Sequence, residues 1–190
     1  MKSKIEIRDF YKSKRNQLGP DERQFLSAKI TEKALQYLLL KDSIKHIHVF
    51  LPIEKLNEVN TIPLINGLQE QGREIYTSVA DFFNGEMKTV KMVIDQQFAE
   101  GRHGVPVPVE IVEGRDSLLQ LVFIPLLAYD LNGHRLGYGK GFYDRFLARL
   151  SPGVLKVGLS FFPAEPHIPT EKHDVPLDLF INPEEVIEIK

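Results

Sequence analysis

Residues 121–130, LVFIPLLAYD, form an apolar run that carries no charged side chain before Asp130. A continuous run of strand length, without polar alternation, suits a centre strand covered on both faces. The chain must therefore supply layers on either side of it. Stretches on both sides have the patterns to do so. Residues 4–17 read as a helix with Ile7, Phe10 and Tyr11 on one side. After a break at Gly19-Pro20, residues 20–42 read as a second helix: Pro20 suits its first turn, Asp21 and Glu22 complement the dipole, and Leu26, Ile30, Leu35 and Leu38 recur near helical spacing. Strands are expected at 46–51, 73–80, 89–94 and 154–161, with one or two more in the tail at 177–189. Asn60 or Thr61 can cap a short helix through Gln71, with Pro63 in its first turn, and residues 101–115 read as a crossing loop. Alternating strands and helices point to a three-layer α/β/α domain with a mostly parallel, Rossmann-like sheet spanning 1–190.

The feature most informative about chemistry follows that run directly. Residues 130–150 read DLNGHRLGYGKGFYDRFLARL, with glycines at 137, 139 and 141. In open α/β sheets, ligands bind beyond the carboxyl ends of strands. Glycines there permit positive φ and close backbone approach, so that several N–H groups can converge on an anion. The start of the following helix would face the same anion, with Arg135 and Lys140 adding full charge. It is not a Walker loop, because position 134 is His and position 141 is Gly. Nor is it the dinucleotide fingerprint, because position 142 is Phe. Within the helix, Tyr143, Phe146, Leu147 and Leu150 form a core stripe. By spacing alone, Asp144 is a first-turn carboxylate complementing the dipole.

Composition narrows the chemistry. With no cysteine among its 190 residues, the chain has no disulfide, thiol nucleophile or thiolate metal site. Lys plus Arg number 24 against 26 Asp plus Glu, so bulk charge favours no polyanion, and no nucleic-acid partner is expected. The charged start, MKSKIEIRDFYKSKRN, is unlike a signal peptide, and no apolar run approaches the ~18 residues of a membrane helix. A cytoplasmic monomer without membrane attachment is the expectation. His46 and His48 share a strand face and read as half-buried polar residues rather than metal ligands. His134 adjoins the loop without an assigned role, and His103 and His167 read as surface residues.

The segment Arg135-Leu136-Gly137-Tyr138-Gly139-Lys140-Gly141-Phe142-Tyr143-Asp144 resembles the signature RLGxGxGYYD of the 5-formyltetrahydrofolate cyclo-ligase family, also called 5,10-methenyltetrahydrofolate synthetases. Other parts agree in order: Lys4 and Arg8, the turn Asn57-Glu58-Val59-Asn60-Thr61, and His173-Asp174 followed by Asp178. Two places depart from the pattern. Pro125-Leu126-Leu127 stands where Gly often follows the proline, and Val107-Pro108 where Glu-Pro is frequent.

The resemblance implies ATP- and Mg²⁺-dependent closure of 5-formyltetrahydrofolate, with or without a polyglutamate tail, to the methenyl form, releasing ADP and phosphate. It assigns ATP to Lys4, Arg8 and the loop Arg135, Leu136, Gly137, Tyr138, Gly139, Lys140, Gly141, Phe142 and Tyr143, with Lys140 and Arg135 acting on the transferred phosphoryl group. It gives folate to Glu58, Tyr138 and Phe142, with Leu51 and Ile53 as pocket wall, and magnesium to Asp144 and Asp174. Spacing alone reads Lys4 and Arg8 as a solvated basic helix face, within a start holding six Lys/Arg against two Asp/Glu in fifteen residues. It reads Glu58 and Asp174 as plain loop acids. Two other functions fit the loop: a small-molecule kinase, and a non-enzymatic nucleotide- or RNA-binding module. The first lacks a recognisable base, the second an aromatic platform.

Overall fold

The structure is a computed structural model that describes residues 2–189. Ser3 opens α1 (Lys4–Gln17) with a reciprocal capping box to Glu6, and Pro20 opens α2 (Pro20–Leu39). There follow β1 (His46–His48), a 3₁₀ turn at Glu54–Leu56, α3 (Ile62–Glu70), and the antiparallel pair β2 (Glu74–Asp81) and β3 (Glu86–Lys91). Next come β4 (Phe98–Glu100), β5 (Pro106–Pro108), β6 (Val112–Glu113) and β7 (Leu121–Pro125). The hairpin β8 (Ala128–Tyr129) with β9 (Arg135–Leu136) leads to α4 (Phe142–Ala148), then β10 (Leu155–Leu159), β11 (Leu179–Ile181) and β12 (Val186–Glu188).

Eight strands form the main sheet in the order β12-β11-β10-β7-β1-β2-β3-β6. The middle pairings β11/β10, β10/β7, β7/β1 and β1/β2 are parallel, and the outer ones antiparallel. Along β7, Leu121 and Phe123 join the core shared with α1, α2 and α3, whereas Val122 and Ile124 join the core shared with α4. That alternation is why the strand had to be apolar throughout. The chain winds from β1 to β2 in one direction and from β7 to β10 in the other. The switch point, where such sheets bind ligands, therefore lies between β1 and β7.

Several boundaries differ from the sequence reading. The apolar run is not one strand: pairing in the main sheet stops at Pro125, and Ala128–Tyr129 turns into the small hairpin. Leu126 to Tyr129 are still fully buried, so the run signalled burial rather than one continuous strand. The strand expected at 46–51 ends at His48, the one at 89–94 begins at Glu86, and the crossing loop at 101–115 contains β5 and β6. Phe10 is 48% exposed; the inward stripe of α1 is Ile7, Tyr11 and Arg15. His48 is completely buried rather than half-buried, and burial depresses its imidazole to about 3. Its Nε2 meets Ser78 Oγ at 2.7 Å. No helix among the described residues is long and apolar enough to cross a membrane.

Candidate active site

At the switch point lies a cleft of about 1020 Å³. Its floor carries Phe50 and Leu51 beyond β1 and Pro125 at the end of β7; its sides are the β9–α4 loop, the start of α1 and the β2–β3 turn. Every site residue singled out in the sequence lines it. Lys4 and Arg8 come from α1, Leu51, Ile53 and Glu58 from the segment after β1, and Asp174 from the segment before β11. The stretch Arg135 to Asp144 lines it without a gap.

The loop takes its shape from two of the three glycines. Gly139 (φ +85°) and Gly141 (φ +68°) occupy the left-handed region, and a Cβ on Gly139 would sit 3.1 Å from the Arg8 guanidinium. Gly137 has no such constraint: a Cβ there would meet nothing within 4 Å. Gly141 is the N-cap of the seven-residue α4, and Arg8 Nε donates to Gly137 O at 3.0 Å, tying α1 to the loop. Arg145, unremarked in the sequence, donates from Nε to Gly85 O (2.9 Å) and from Nη2 to Lys140 O (3.0 Å). It thereby straps the β2–β3 turn to the loop. That turn brings Phe82, whose ring lies 5.5 Å from Phe142 and 5.1 Å from His103, so the mouth has an aromatic wall.

Two of the cleft's cations, Arg135 and Lys4, are paired with carboxylates. Arg135 Nη2 meets Asp144 Oδ1 at 2.6 Å, and its Nη1 donates to Val175 O. Lys4 Nζ meets Asp174 Oδ2 at 2.6 Å and Glu171 Oε1 at 3.1 Å. Burial raises the Asp174 carboxyl, but Lys4 and the Glu171 N–H bring it below its ordinary value. Val175 N–H reaches Asp144 Oδ1 at 3.4 Å, which draws Asp144 toward the segment of Asp174. Lys140 is exposed at the lip. Glu58 is 8% exposed, accepts the Ile53 N–H at 2.8 Å, and is pushed up to about 7 by burial, against the pull of Ile53, Arg15 and Tyr138. The Asn60–Thr61 turn pins this segment: Thr61 Oγ1 donates to Phe50 O at 2.6 Å, and Asn60 N–H donates to Ser27 Oγ at 3.0 Å. His134 hydrogen-bonds buried Asp130 at 3.0 Å.

Two hard carboxylates on neighbouring segments suit a cation whose remaining ligands are phosphate oxygens and water. Among the described residues, no group of three or more His, Cys, Asp or Glu gathers in metal-binding geometry. The donor set thus fits a magnesium ion that arrives with phosphates better than one held by protein alone.

Residues 1–183 match the model of the 5-formyltetrahydrofolate cyclo-ligase family. The chain belongs to that family of ligase-type enzymes. A cyclo-ligase of Mycoplasma genitalium is 29% identical over 183 residues, covering 95% of this chain and 98% of that one. One from Mus musculus is 27% identical over 185 residues, covering 90% and 89%. Among solved structures, the 5,10-methenyltetrahydrofolate synthetase of Aquifex aeolicus superposes with a TM-score of 0.82 at 28% identity, covering 98% of this chain and 93% of that one. That of Mycoplasma pneumoniae gives 0.77 at 25%, covering 96% and 100%. The mostly parallel α/β fold read from the sequence is thus the fold of these cyclo-ligases.

The sequence reading missed Arg15, Arg145 and the Phe82 wall. A signal for Arg15 was present: it extends the stripe Ile7, Tyr11 by one more i+4 step, so it lies on the face that turns inward. Nothing local marks Arg145 or Phe82, because their partners come from other segments.

Proposed function

We propose that the chain converts 5-formyltetrahydrofolate to 5,10-methenyltetrahydrofolate at the expense of ATP. What carries this reading is the convergence of Lys4, Arg8, Glu58, Asp174 and the whole Arg135–Asp144 stretch, scattered along the sequence, on one cleft. The formyl oxygen attacks the γ-phosphorus and ADP leaves. N10 then adds to the formyl carbon, the C–O bond breaks with phosphate as leaving group, and the N10 proton is released. Activation is required because an amide-like oxygen leaves poorly by itself.

The protein's share is positioning and charge compensation. Lys4, Arg8 and Lys140 hold the phosphates beside the loop backbone, and Arg135 exchanges Asp144 for the transferring phosphoryl group. Glu58 accepts from the adjacent N–H donors of the pterin edge, with Leu51, Ile53 and Phe142 against its ring. Asp144 and Asp174 would hold magnesium, which when bound would supply positive charge against the phosphates. No side-chain nucleophile is required. Incubation with ATP, magnesium and 5-formyltetrahydrofolate should generate the near-ultraviolet absorbance of the methenyl product. ATP binding without that absorbance would favour a small-molecule kinase using the same loop.

A further inference from the structure

The tip of the β2–β3 turn has little packing to hold it. Phe83 is fully exposed and Asn84 is exposed. The bonds from Gly85 N–H to Asp81 O, Phe83 N–H to Asp81 Oδ1 and Glu86 N–H to Asn84 Oδ1, each 2.9 Å, stay within the turn. Among the described residues, the one hydrogen bond joining residues 82–85 to another segment comes from Arg145 Nε to Gly85 O. A guanidinium carries its donors in a fixed plane, so Nη2 of the same group reaches Lys140 O in the glycine loop. One side chain of α4 thus sets the spacing of two segments that no sequence proximity relates. The glycines beside it leave room for this: Gly85 (φ +74°) and Gly141 (φ +68°) are left-handed, and a Cβ on them would come 2.6 Å from Nη2 and 2.8 Å from Nη1.

What the strap holds in place is aromatic. The Arg145 guanidinium lies 5.5 Å from the Phe142 ring centre, Phe142 meets Phe82 edge to face at 5.5 Å, and Arg102 lies 5.8 Å from the Phe82 ring centre on the far side. Phe82 and Phe142 both line the cleft, and they come from the two segments that Arg145 ties together. From these contacts we infer that Arg145 is a positioning residue for substrate recognition: by joining Gly85 to Lys140 it keeps Phe82 beside Phe142, and so maintains the wall against which a flat substrate ring packs. The inference rests on the reading of this cleft as the folate site. With Nε and Nη2 committed to carbonyl oxygens, Arg145 leaves the phosphates to Lys4, Arg8 and Lys140. Arg149, one turn further along α4, makes the contrast. It donates from Nε to Asp116 Oδ2 at 2.6 Å and from Nη2 to Met87 O, so it braces β3 without reaching the tip of the turn.

The test uses the full chain. Arg145→Met keeps the stem without donors, Arg145→Lys keeps the charge without the fork, Arg149→Met removes the neighbouring brace, and Phe82→Ala removes the ring. Without substrate, amide hydrogen exchange at Phe83, Gly85 and Glu86 should quicken roughly tenfold in Arg145→Met, less in Arg145→Lys, and stay near the parent rate in Arg149→Met. With substrate, Arg145→Met should raise folate KM roughly fivefold and keep ATP KM within about twofold. Arg149→Met should lower the thermal midpoint without separating the two KM values. In the Phe82→Ala background, Arg145→Met should add little to folate KM, because the ring it positions is gone. Unchanged exchange at the tip, full additivity with Phe82→Ala, or an ATP KM raised as much as that of folate overturns the inference, the last by making Arg145 a phosphate contact. Arg145→Lys decides alone should Arg145→Met fail to fold. Quickened exchange in a protein that closes no 5-formyltetrahydrofolate would retain the strap and reject the folate reading instead.

Discussion

Asp130 and Glu58 are both buried carboxylates, 0% and 8% exposed, and their surroundings have driven them in opposite directions. Asp130 sits in the β8–β9 turn and accepts the N–H groups of Asn132 (2.9 Å), His134 (3.0 Å) and Ile168 (2.9 Å), with the His134 ring at 3.0 Å. Burial raises its carboxyl, but these donors together hold it below the ordinary value. Glu58 has one backbone donor, the Ile53 N–H, and burial pushes it up to about 7. Burial does not by itself decide what a carboxylate is for; the donors around it do. A saturated carboxylate braces a turn, and one with acceptor capacity left over in a cleft wall suits a ligand.

Four measurements would break or sharpen this contrast. Asp130→Ala strands a set of buried N–H donors and should cost about 3–5 kcal/mol of folding stability; a urea midpoint close to that of the parent would show that the turn does not depend on its carboxylate. Asp144 lies between the extremes, half satisfied by Arg135 and Val175. Asp144→Asn should leave thermal unfolding nearly unchanged while lowering turnover roughly 10- to 100-fold. Unaltered rate at limiting magnesium would remove it from the metal site. Glu58→Gln should raise folate KM roughly tenfold and ATP KM little, with stability equal or greater, because a poorly satisfied charge has gone. A larger effect on ATP would reassign the residue.

The smallest effect is in pH. The depressed carboxyl of Asp130 contributes stability above the unfolded carboxylate value, lost as pH falls through its folded value. The raised one of Glu58 contributes stability in acid, lost as pH rises through about 7. Thermal midpoints of Glu58→Gln relative to the parent should therefore climb between pH 5 and 8. A flat difference would mean Glu58 is better satisfied than its contacts suggest.

Local rules explain which features could be read from the chain. The helix pattern of residues 4–17 and Pro20 at a helix start involve neighbours in sequence, and each became the element expected. The glycine loop was identifiable because positive φ at Gly139 and Gly141 restricts residue choice locally. By contrast, apolar continuity at 121–130 reported burial without telling a strand from the hairpin beyond Pro125. The depth of His48 and the exposure of Phe10 depended on what packs above them.

Order along the chain determined the α/β architecture, the place of the glycine loop and the membership of the cyclo-ligase family, since periodicity, backbone freedom and a ten-residue signature are properties of adjacent residues. Only the tertiary structure decided partners: Asp174 with Lys4, Asp144 with Arg135, Tyr138 with Arg15. A side chain's charge, donors and dielectric surroundings come from whichever segments the fold brings within a few ångströms, and those segments lie far apart in the sequence.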